Sequence, residues 1–314
     1  MTTRVFTDQR CLLHRSPPGY PERSERLEAI VDHLAREGHE IVDGVAFPEV
    51  EKRIGLLHEP AYVERLRRAV ERGDGLIDSA DNPLSEGTYD ASLAAVETVL
   101  TAAEWVMGGS DHMALAAVRP PGHHAERGTA MGFCYFNNVA VAAEHLVHEH
   151  GLGRVAIFDF DVHHGNGTQH LFEERADVLY VSTHQYPFYP GTGAADERGR
   201  GPGQGATVNV PLPAGTGDQG YAVALEEQVL PALEAFAPEV LMLSAGFDAW
   251  QNDPVGGMRV TADAYHDWSQ RLAGLAAEVC GGRVLSVLEG GYDLTALPTL
   301  VDIHLRGLSA GKSG

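Results

Sequence analysis

The amino-acid sequence predicts an α/β protein with one mostly parallel central sheet and helices on both of its faces. Short apolar, β-branched runs alternate with amphipathic helical segments along nearly the whole chain, a pattern that builds parallel sheets. No internal repeat, low-complexity tract or Pro/Ser-rich linker divides the 314 residues, so we expect a single domain over residues 1–314. Polar or glycine-rich turns follow five of the predicted strands, and in sheets of this kind ligands bind at those strand ends.

The spacing of apolar residues positions each element in turn. In the first helix, for example, Leu27, Ile30, Val31 and Leu34 recur at helical intervals. The predicted strands cover residues 4–7, 112–118, 154–158, 178–182, 207–211, 239–244 and 283–288. The predicted helices cover residues 24–37, 60–72, 86–107, 138–149, 218–236, 262–279 and 294–307. Ser85 is the expected N-cap of the third helix, and a Gly/Pro-rich loop is predicted for residues 184–205.

Composition and charge exclude several classes of function. The formal net charge is −21, whereas nucleic-acid binding relies on clustered Lys and Arg, so no nucleic-acid partner is expected. An acidic surface favours cationic ligands, although solubility alone also explains it. No run approaches the roughly 18 apolar residues of a membrane span, and the N-terminus lacks the design of a signal peptide. Three widely spaced cysteines, Cys11, Cys134 and Cys280, favour a reducing compartment, and we expect a cytoplasmic protein.

The segment after the third predicted strand carries the clearest functional pattern. Asp159, Asp161 and His163 occupy every second position, and alternate side chains of an extended chain share one face. Carboxylate and imidazole donors suit a borderline divalent ion such as zinc. A calcium loop would need Gly at its sixth position and Glu at its twelfth, but His164 and His170 stand there. Capping of the next helix is the alternative role for the acidic cluster.

Other strand ends supply groups that complete such a site. With Asp161 and His163, Asp248 would give a metal three protein ligands and leave coordination positions open, as a catalytic site requires. His123 and His124 follow an earlier strand and are candidates for proton transfer near neutral pH. The alternative is that this histidine pair is only polar surface.

Three further side chains have the chemistry of supporting groups. Asp159 and Asn166 suit the orientation of the two imidazoles, with helix capping as the alternative for Asn166. Tyr292, in a Glu-Gly-Gly-Tyr turn, is a candidate hydrogen-bond donor to an oxyanion. A tyrosine that only packs is the alternative there.

Six motifs between residues 119 and 292 together resemble one known family. They are RPPGHHA (119–125), GFCYFNN (132–138), DFDVHHGNGT (159–168), YPGTG (189–193), LSAGFDA (243–249) and EGGY (289–292). In this order they resemble the zinc-dependent histone deacetylase superfamily, which includes acetylpolyamine amidohydrolases and bacterial deacetylase-like proteins. The resemblance implies an arginase/deacetylase-like fold and a zinc-dependent amidohydrolase with one catalytic zinc ion. It also implies a structural potassium ion.

The resemblance implies roles for individual residues at the reacting centre. It implies that Asp161, His163 and Asp248 bind zinc. It implies that His124 is the general base and acid, that His123 is its electrostatic partner, and that Asp159 and Asn166 lie behind these two histidines. It also implies that Tyr292 stabilises the tetrahedral intermediate.

The resemblance also implies how the substrate and the second ion are held. It implies that Phe133, Tyr189 and Gly132 form an acyl-lysine channel and that Asp81 holds the substrate backbone at the rim of this channel. It implies that Arg26 lies near an internal acetate pocket. It also implies that potassium binds Asp159, Ser182 and the main-chain carbonyls of Asp161, His163 and Thr183.

Two positions refine the expected substrate. Asn166 stands where class I members carry Asp, which favours a class II-like branch. Val255 stands where the polyamine-selective branch carries Glu, so we expect hydrolysis of N-acetyl-lysine, or a longer N-acyl-lysine, in a peptide or protein. Acetylpolyamine hydrolysis is the first alternative. A non-catalytic acyl-lysine binding module is the second, and the presence of Tyr292 counts against it.

Overall fold

The core of the protein is an eight-stranded sheet in which all neighbouring strands run parallel. A computed structural model describes residues 2–44, 46–110 and 112–311. The strands are β1 (Thr2–Thr7), β2 (Glu40–Asp43), β3 (Leu76–Ile77), β4 (Ser79–Pro83), β5 (His112–Ala116), β6 (Val155–Asp159), β7 (Val178–Gln185), β8 (Thr207–Leu212), β9 (Val240–Ala245) and β10 (Val284–Leu288). The large sheet has the order β2-β1-β5-β10-β9-β6-β7-β8, and β3 and β4 form a separate hairpin.

Helices connect the strands and cover the sheet. They are α1 (Glu25–Arg36), α2 (Val50–Ile54), α3 (Pro60–Arg72), α4 (Thr88–Met107), α5 (Asn138–His150), α6 (Asn166–Phe172), α7 (Asp218–Ala224), α8 (Leu230–Phe236), α9 (Ala262–Cys280) and α10 (Leu297–Ala310). One group packs α4 and α5 together against the sheet, and a second group packs α1 and α9 against α10. Strands β6, β9 and β10 are buried at every position, because both faces of the sheet are covered. The predicted α/β fold is confirmed.

The structure departs from the predicted elements in physically understandable ways. Strand β2 was missed because it is a four-residue edge strand whose side chains are exposed or half-buried, so it has no apolar run. The predicted cap Ser85 is wrong: α4 begins at Thr88 after Gly87, and Ser85 Oγ instead accepts a hydrogen bond from the Arg15 main chain (2.9 Å). The predicted helix at residues 218–236 contains a π-helical turn, Leu225–Val229, just before Pro231, which has no N–H to donate.

The order of the strands brings their carboxyl ends to one edge of the sheet. Strands β5, β10, β9, β6 and β7 are consecutive neighbours, and the segments that carry the sequence motifs leave from these ends. Within the described part of the chain, none of the helices is both long enough and apolar enough to cross a lipid bilayer.

Candidate metal centre and catalytic pocket

Asp161, His163 and Asp248 converge at the ends of β6 and β9. His163 Nδ1 lies 3.0 Å from Asp161 Oδ1 and 3.1 Å from Asp248 Oδ2. One ligand atom from each residue lies within 4.8 Å of the other two, and all three residues are buried. Strand β6 ends at Asp159, so a turn rather than an extended strand sets this geometry, with the His163 main-chain N–H bonded to Asp161 Oδ1 (2.9 Å).

The triad attracts positive charge. Burial disfavours the charged imidazole of His163, but its hydrogen bond with Asp161 and the nearby carboxylate of Asp248 outweigh burial and raise its pKa to about 9. Burial and repulsion from Asp161 raise the pKa of Asp248 to about 7. Asp248 Oδ2 is buried without a hydrogen bond of its own, and such an atom is costly unless something binds it. A group of two carboxylates and an imidazole, in which one carboxylate oxygen lacks a hydrogen bond, fits the binding of a divalent cation.

Two glycines allow the carboxylates to approach each other. A Cβ atom at Gly290 would collide with Asp248 Oδ2 and Asp161 Oδ2, and one at Gly246 would collide with Asp161 Oδ2. The Gly290 main-chain N–H also donates to Asp161 Oδ2 (2.8 Å). Any larger residue at Gly290 would therefore push apart the two carboxylates that define the site.

The adjacent histidines His123 and His124 have opposite electrostatic environments. Their ring centroids are 4.0 Å apart, and both residues are buried. His123 Nδ1 donates to Asp159 Oδ2 (3.0 Å). Burial opposes the charge on this ring, but attraction by Asp159 and Asp161 raises its pKa to about 10. The pKa of His124 is lowered well below its usual value by burial, and further by repulsion from His123 and His163.

Asn166 fixes the tautomer of His124. The amide nitrogen of Asn166 donates to Glu126 Oε1 (2.5 Å) and to the His124 carbonyl (3.3 Å), which orients the amide oxygen towards His124 Nδ1 at 2.8 Å. Because that oxygen only accepts, Nδ1 carries the proton. The neutral ring of His124 therefore has a lone pair on Nε2, as a general base requires.

The guanidinium of Arg26 packs against the ring of Tyr292 and holds it in place. The guanidinium of Arg26 lies 4.8 Å from the centroid of the Tyr292 ring, and its Nε and Nη2 donate to the carbonyls of Gly291 (2.7 Å) and Glu289 (2.6 Å). Arg26 is fully buried, so this support is rigid. Burial raises the pKa of the Tyr292 phenol well above its usual value, and the group remains an O–H donor.

Of these side chains, His124, His163 and Tyr292 line one cavity of about 250 Å³. Its lining consists of Asp81, His124, Gly132, Phe133, His163, Phe188, Tyr189, Val255 and Tyr292. All of these residues except Phe188 are predicted site residues. The ring of Phe188 stacks on His163 with centroids 5.3 Å apart. Phe188 directly precedes the YPGTG motif. Its position next to the predicted channel residue Tyr189 could have indicated that it also lines the channel.

The mouth of the cavity is aromatic with one carboxylate. Phe133 packs edge-on against Tyr292 (5.9 Å), and Tyr189 packs edge-on against His124 (5.2 Å). Asp81 Oδ2 accepts hydrogen bonds from the Tyr189 hydroxyl (2.8 Å) and the Gly132 main chain (3.2 Å). Asp81 is therefore fixed at the rim before any ligand arrives.

Two buried carboxylates that the sequence analysis missed hold the loops of the site together. Glu289 Oε2 accepts from the main chain of Gly122 (2.7 Å) and His123 (3.2 Å), and burial raises its pKa to about 7. Asp253 accepts from the main chain of Tyr292 (2.7 Å) and Val255 (2.9 Å). Glu289 belongs to the EGGY motif and was visible there, whereas nothing in the sequence marks Asp253.

The residues expected to hold potassium are neighbours across the sheet. Asp159 on β6 is in register with Ser182 on β7, and both are fully buried. Asp159 Oδ2 also accepts from the Tyr180 hydroxyl (3.1 Å), and Ser182 Oγ bonds to His184 Nδ1 (2.9 Å).

The fold and the pocket define an arginase/deacetylase-like α/β protein with a candidate metal centre below an aromatic channel. The histone deacetylase domain family matches residues 20–308 of the chain. The chain therefore belongs to the histone deacetylase family. This family implies a catalytic metal, which agrees with the buried Asp161–His163–Asp248 group.

Individual relatives include a probable deacetylase and proteins named for polyamine substrates. A probable deacetylase of Archaeoglobus fulgidus is 40% identical over 303 residues, which cover 95% of this chain and 84% of that protein. Polyamine deacetylase HDAC10 of Homo sapiens is 40% identical over 310 residues, covering 95% of this chain but 46% of that protein. The crystal structure of acetylpolyamine aminohydrolase from Burkholderia pseudomallei superposes with a TM-score of 0.89 at 31% identity, covering 98% of this chain and 99% of that one.

Proposed function

We propose that the protein is a zinc-dependent deacetylase that hydrolyses the amide of N-acetyl-lysine side chains. The observation that carries the proposal is that His163, which belongs to the buried Asp161–His163–Asp248 group, lines one cavity together with His124 and Tyr292. We take residues 1–314 as one catalytic domain.

Zinc would be held by Asp161, by His163 through Nδ1, and by Asp248. Tetrahedral ligands at about 2.0–2.1 Å from zinc lie roughly 3.3 Å from each other, close to the distances of 3.0 and 3.1 Å found between His163 Nδ1 and the two carboxylates. A zinc ion supplies Lewis acidity: it acidifies water and polarises a carbonyl. A potassium ion between Asp159 and Ser182 would add positive charge behind the histidine pair.

The proton transfers are assigned to His124. Its unprotonated Nε2 removes a proton from the attacking water, and the resulting imidazolium returns that proton to the leaving amine. His123 remains protonated beside Asp159 and keeps the ring of His124 neutral until His124 takes the proton of the attacking water. The Tyr292 hydroxyl donates to the oxyanion that forms when the carbonyl carbon becomes tetrahedral. The products are a free amine and a carboxylate.

The channel fits a flexible alkyl stem. Phe133 and Tyr189 offer aromatic faces to the methylene groups of a lysine side chain, which gain free energy when they leave water. Asp81 at the rim accepts hydrogen bonds, and a peptide supplies main-chain N–H donors there. The apolar Val255 provides no attraction for the additional ammonium of a polyamine, which favours acetyl-lysine.

Acetylpolyamine hydrolysis is the second candidate function. It is supported by the relatives of that activity and by the carboxylate of Asp81, which attracts a cation as well as an amide. The identity of 40% is the same for the deacetylase and the polyamine deacetylase, so sequence identity does not choose between them.

A turnover panel with metal analysis tests the proposal. The purified protein is assayed with an acetyl-lysine peptide, a longer acyl-lysine peptide and an acetylated polyamine, and its zinc content is measured. We expect zinc and preferential turnover of the acetyl-lysine peptide. Efficient polyamine turnover with negligible peptide turnover would overturn the substrate, and bound peptide without any turnover would indicate a binding module.

A pair of variants at Val255 tests the selectivity argument directly. Val255→Glu places a carboxylate at the cavity mouth and is expected to raise polyamine turnover relative to peptide turnover. Val255→Gln has the same shape without the charge and is the matched control. An equal change in both variants would show that size, rather than charge, acts at this position.

A further inference from the structure

A second group of metal-binding side chains lies on the surface between α4 and α5. It consists of Glu104 on α4 and of His145 and His150 on α5. His150 is the last residue of α5, whereas the first residue, Asn138, bonds to the Pro120 carbonyl beside the catalytic histidines (3.0 Å). The 13 residues of α5 correspond to about 20 Å of helix, so this group is separate from the catalytic pocket.

The two imidazoles converge on one carboxylate oxygen. Glu104 Oε1 lies 2.6 Å from His145 Nε2 and 2.9 Å from His150 Nε2. One ligand atom from each residue lies within 4.8 Å of the other two. His145 is buried and packs edge-on against Phe47 (centroids 5.4 Å apart), so the first ligand is fixed in place. Glu104 and His150 are more exposed, and they are free to adjust.

The charges around the group suit a cation. The carboxylate of Glu104 lies beside both imidazoles. The nearby guanidinium of Arg53 is compensated by an ion pair with Glu149.

We propose that Glu104, His145 and His150 form a peripheral binding site for a borderline divalent cation such as Zn²⁺. Two imidazoles and a carboxylate are typical ligands of zinc, and they bind calcium or magnesium poorly. Zinc ligands are separated by roughly 3.3 Å, so Glu104 Oε1 has to withdraw by about half an ångström from each imidazole. The exposed glutamate can do this by a small rotation. Water completes the coordination, and the ion links α4 to α5.

Zinc titration of matched variants tests the site. Full-length wild type, His150→Ala and Glu104→Gln are stripped with a chelator and titrated with Zn²⁺ in competition with a chromophoric indicator. His148→Ala is the control, because His148 is an exposed histidine of the same helix that pairs with Glu149 instead. His145 is left unchanged, since its burial makes an effect on folding inevitable.

We expect wild type and His148→Ala to bind about one zinc equivalent more than His150→Ala and Glu104→Gln. Zinc is also expected to raise the Tm of His148→Ala more than that of His150→Ala. Equal stoichiometry and equal Tm shifts in these two variants would overturn the proposal and leave a surface ion pair. Because the readout is a difference between variants with an intact catalytic pocket, it is independent of the proposed deacetylase activity.

Discussion

Replacement of Asn166 by Asp tests the proton-transfer role of His124. The new carboxylate would lie where Asn166 Oδ1 now lies, 2.8 Å from His124 Nδ1. With the two charges about 4 Å apart, their attraction is ~4 kcal/mol at an effective dielectric constant of about 20, or about 3 in pKa at 1.36 kcal/mol per unit. Measured changes in pKa caused by an opposite charge at this distance are roughly 1–3. We therefore expect the pKa of His124 to rise by about 1–3 in Asn166→Asp.

The sign of the pH effect follows from the role of the ring. His124 has to be unprotonated to accept a proton, so activity is lost as the pH falls through its pKa. A raised pKa moves this acid limb of kcat/KM to higher pH. The assay is the pH profile of kcat/KM for wild type and variant with an acetyl-lysine peptide, with circular dichroism at each pH as a control for folding.

Glu126 provides an internal check on this prediction. Its Oε1 accepts from the Asn166 amide, so in Asn166→Asp two carboxylates face each other and one tends to bind a proton. The double variant Asn166→Asp with Glu126→Gln removes that repulsion and is expected to show the full displacement of the acid limb. An unchanged acid limb in both variants, with normal folding, would refute the assignment of His124 as the base.

Three further substitutions test other parts of the site. Asp248→Ala removes a proposed metal ligand, and we expect loss of zinc and of activity; stoichiometric zinc with normal turnover would contradict the ligand assignment. Tyr292→Phe removes only the hydroxyl and keeps the ring over Arg26. We expect kcat to fall by a factor of roughly 10²–10³ with little change in KM. A decrease of kcat by less than about threefold would mean that the Tyr292 side chain only packs. Asp81→Asn is expected to lower peptide kcat/KM with little dependence on salt; a loss that shrinks steeply at high ionic strength would instead indicate attraction of a polyamine cation.

The sequence was sufficient to predict most of the pocket because the relevant residues cluster in short motifs after buried strands. Asp161 and His163 lie two positions apart after β6, and Asp248 follows β9. The parallel sheet then brings these ends together without further information. The tautomer of His124 was not predictable, since it depends on the orientation of the Asn166 amide and hence on Glu126, which no motif includes.

Other features depend on tertiary contacts that leave no local trace. Asp253 supports Tyr292 and Val255 only by accepting hydrogen bonds from their main-chain N–H groups. Almost every residue type has such an N–H group, so this contact leaves no pattern in the sequence. The peripheral Glu104 and His145 lie on different helices, 41 residues apart. Helical spacing identifies α4 and α5 separately, but it does not predict which of their polar residues face each other.

The contact of Arg26 with the turn before Tyr292 joins positions that are 265 residues apart in sequence. Contacts between such distant positions require the closure of a very long loop, and the entropy lost in closing it has to be offset before the contact stabilises the fold. During synthesis the N-terminal arginine emerges long before the tyrosine that it supports. A partly folded chain, or one truncated before Tyr292, therefore lacks the anchored phenol even if its proposed metal ligands are assembled. Under the proposed function, hydrolytic activity would itself report that the whole chain has folded.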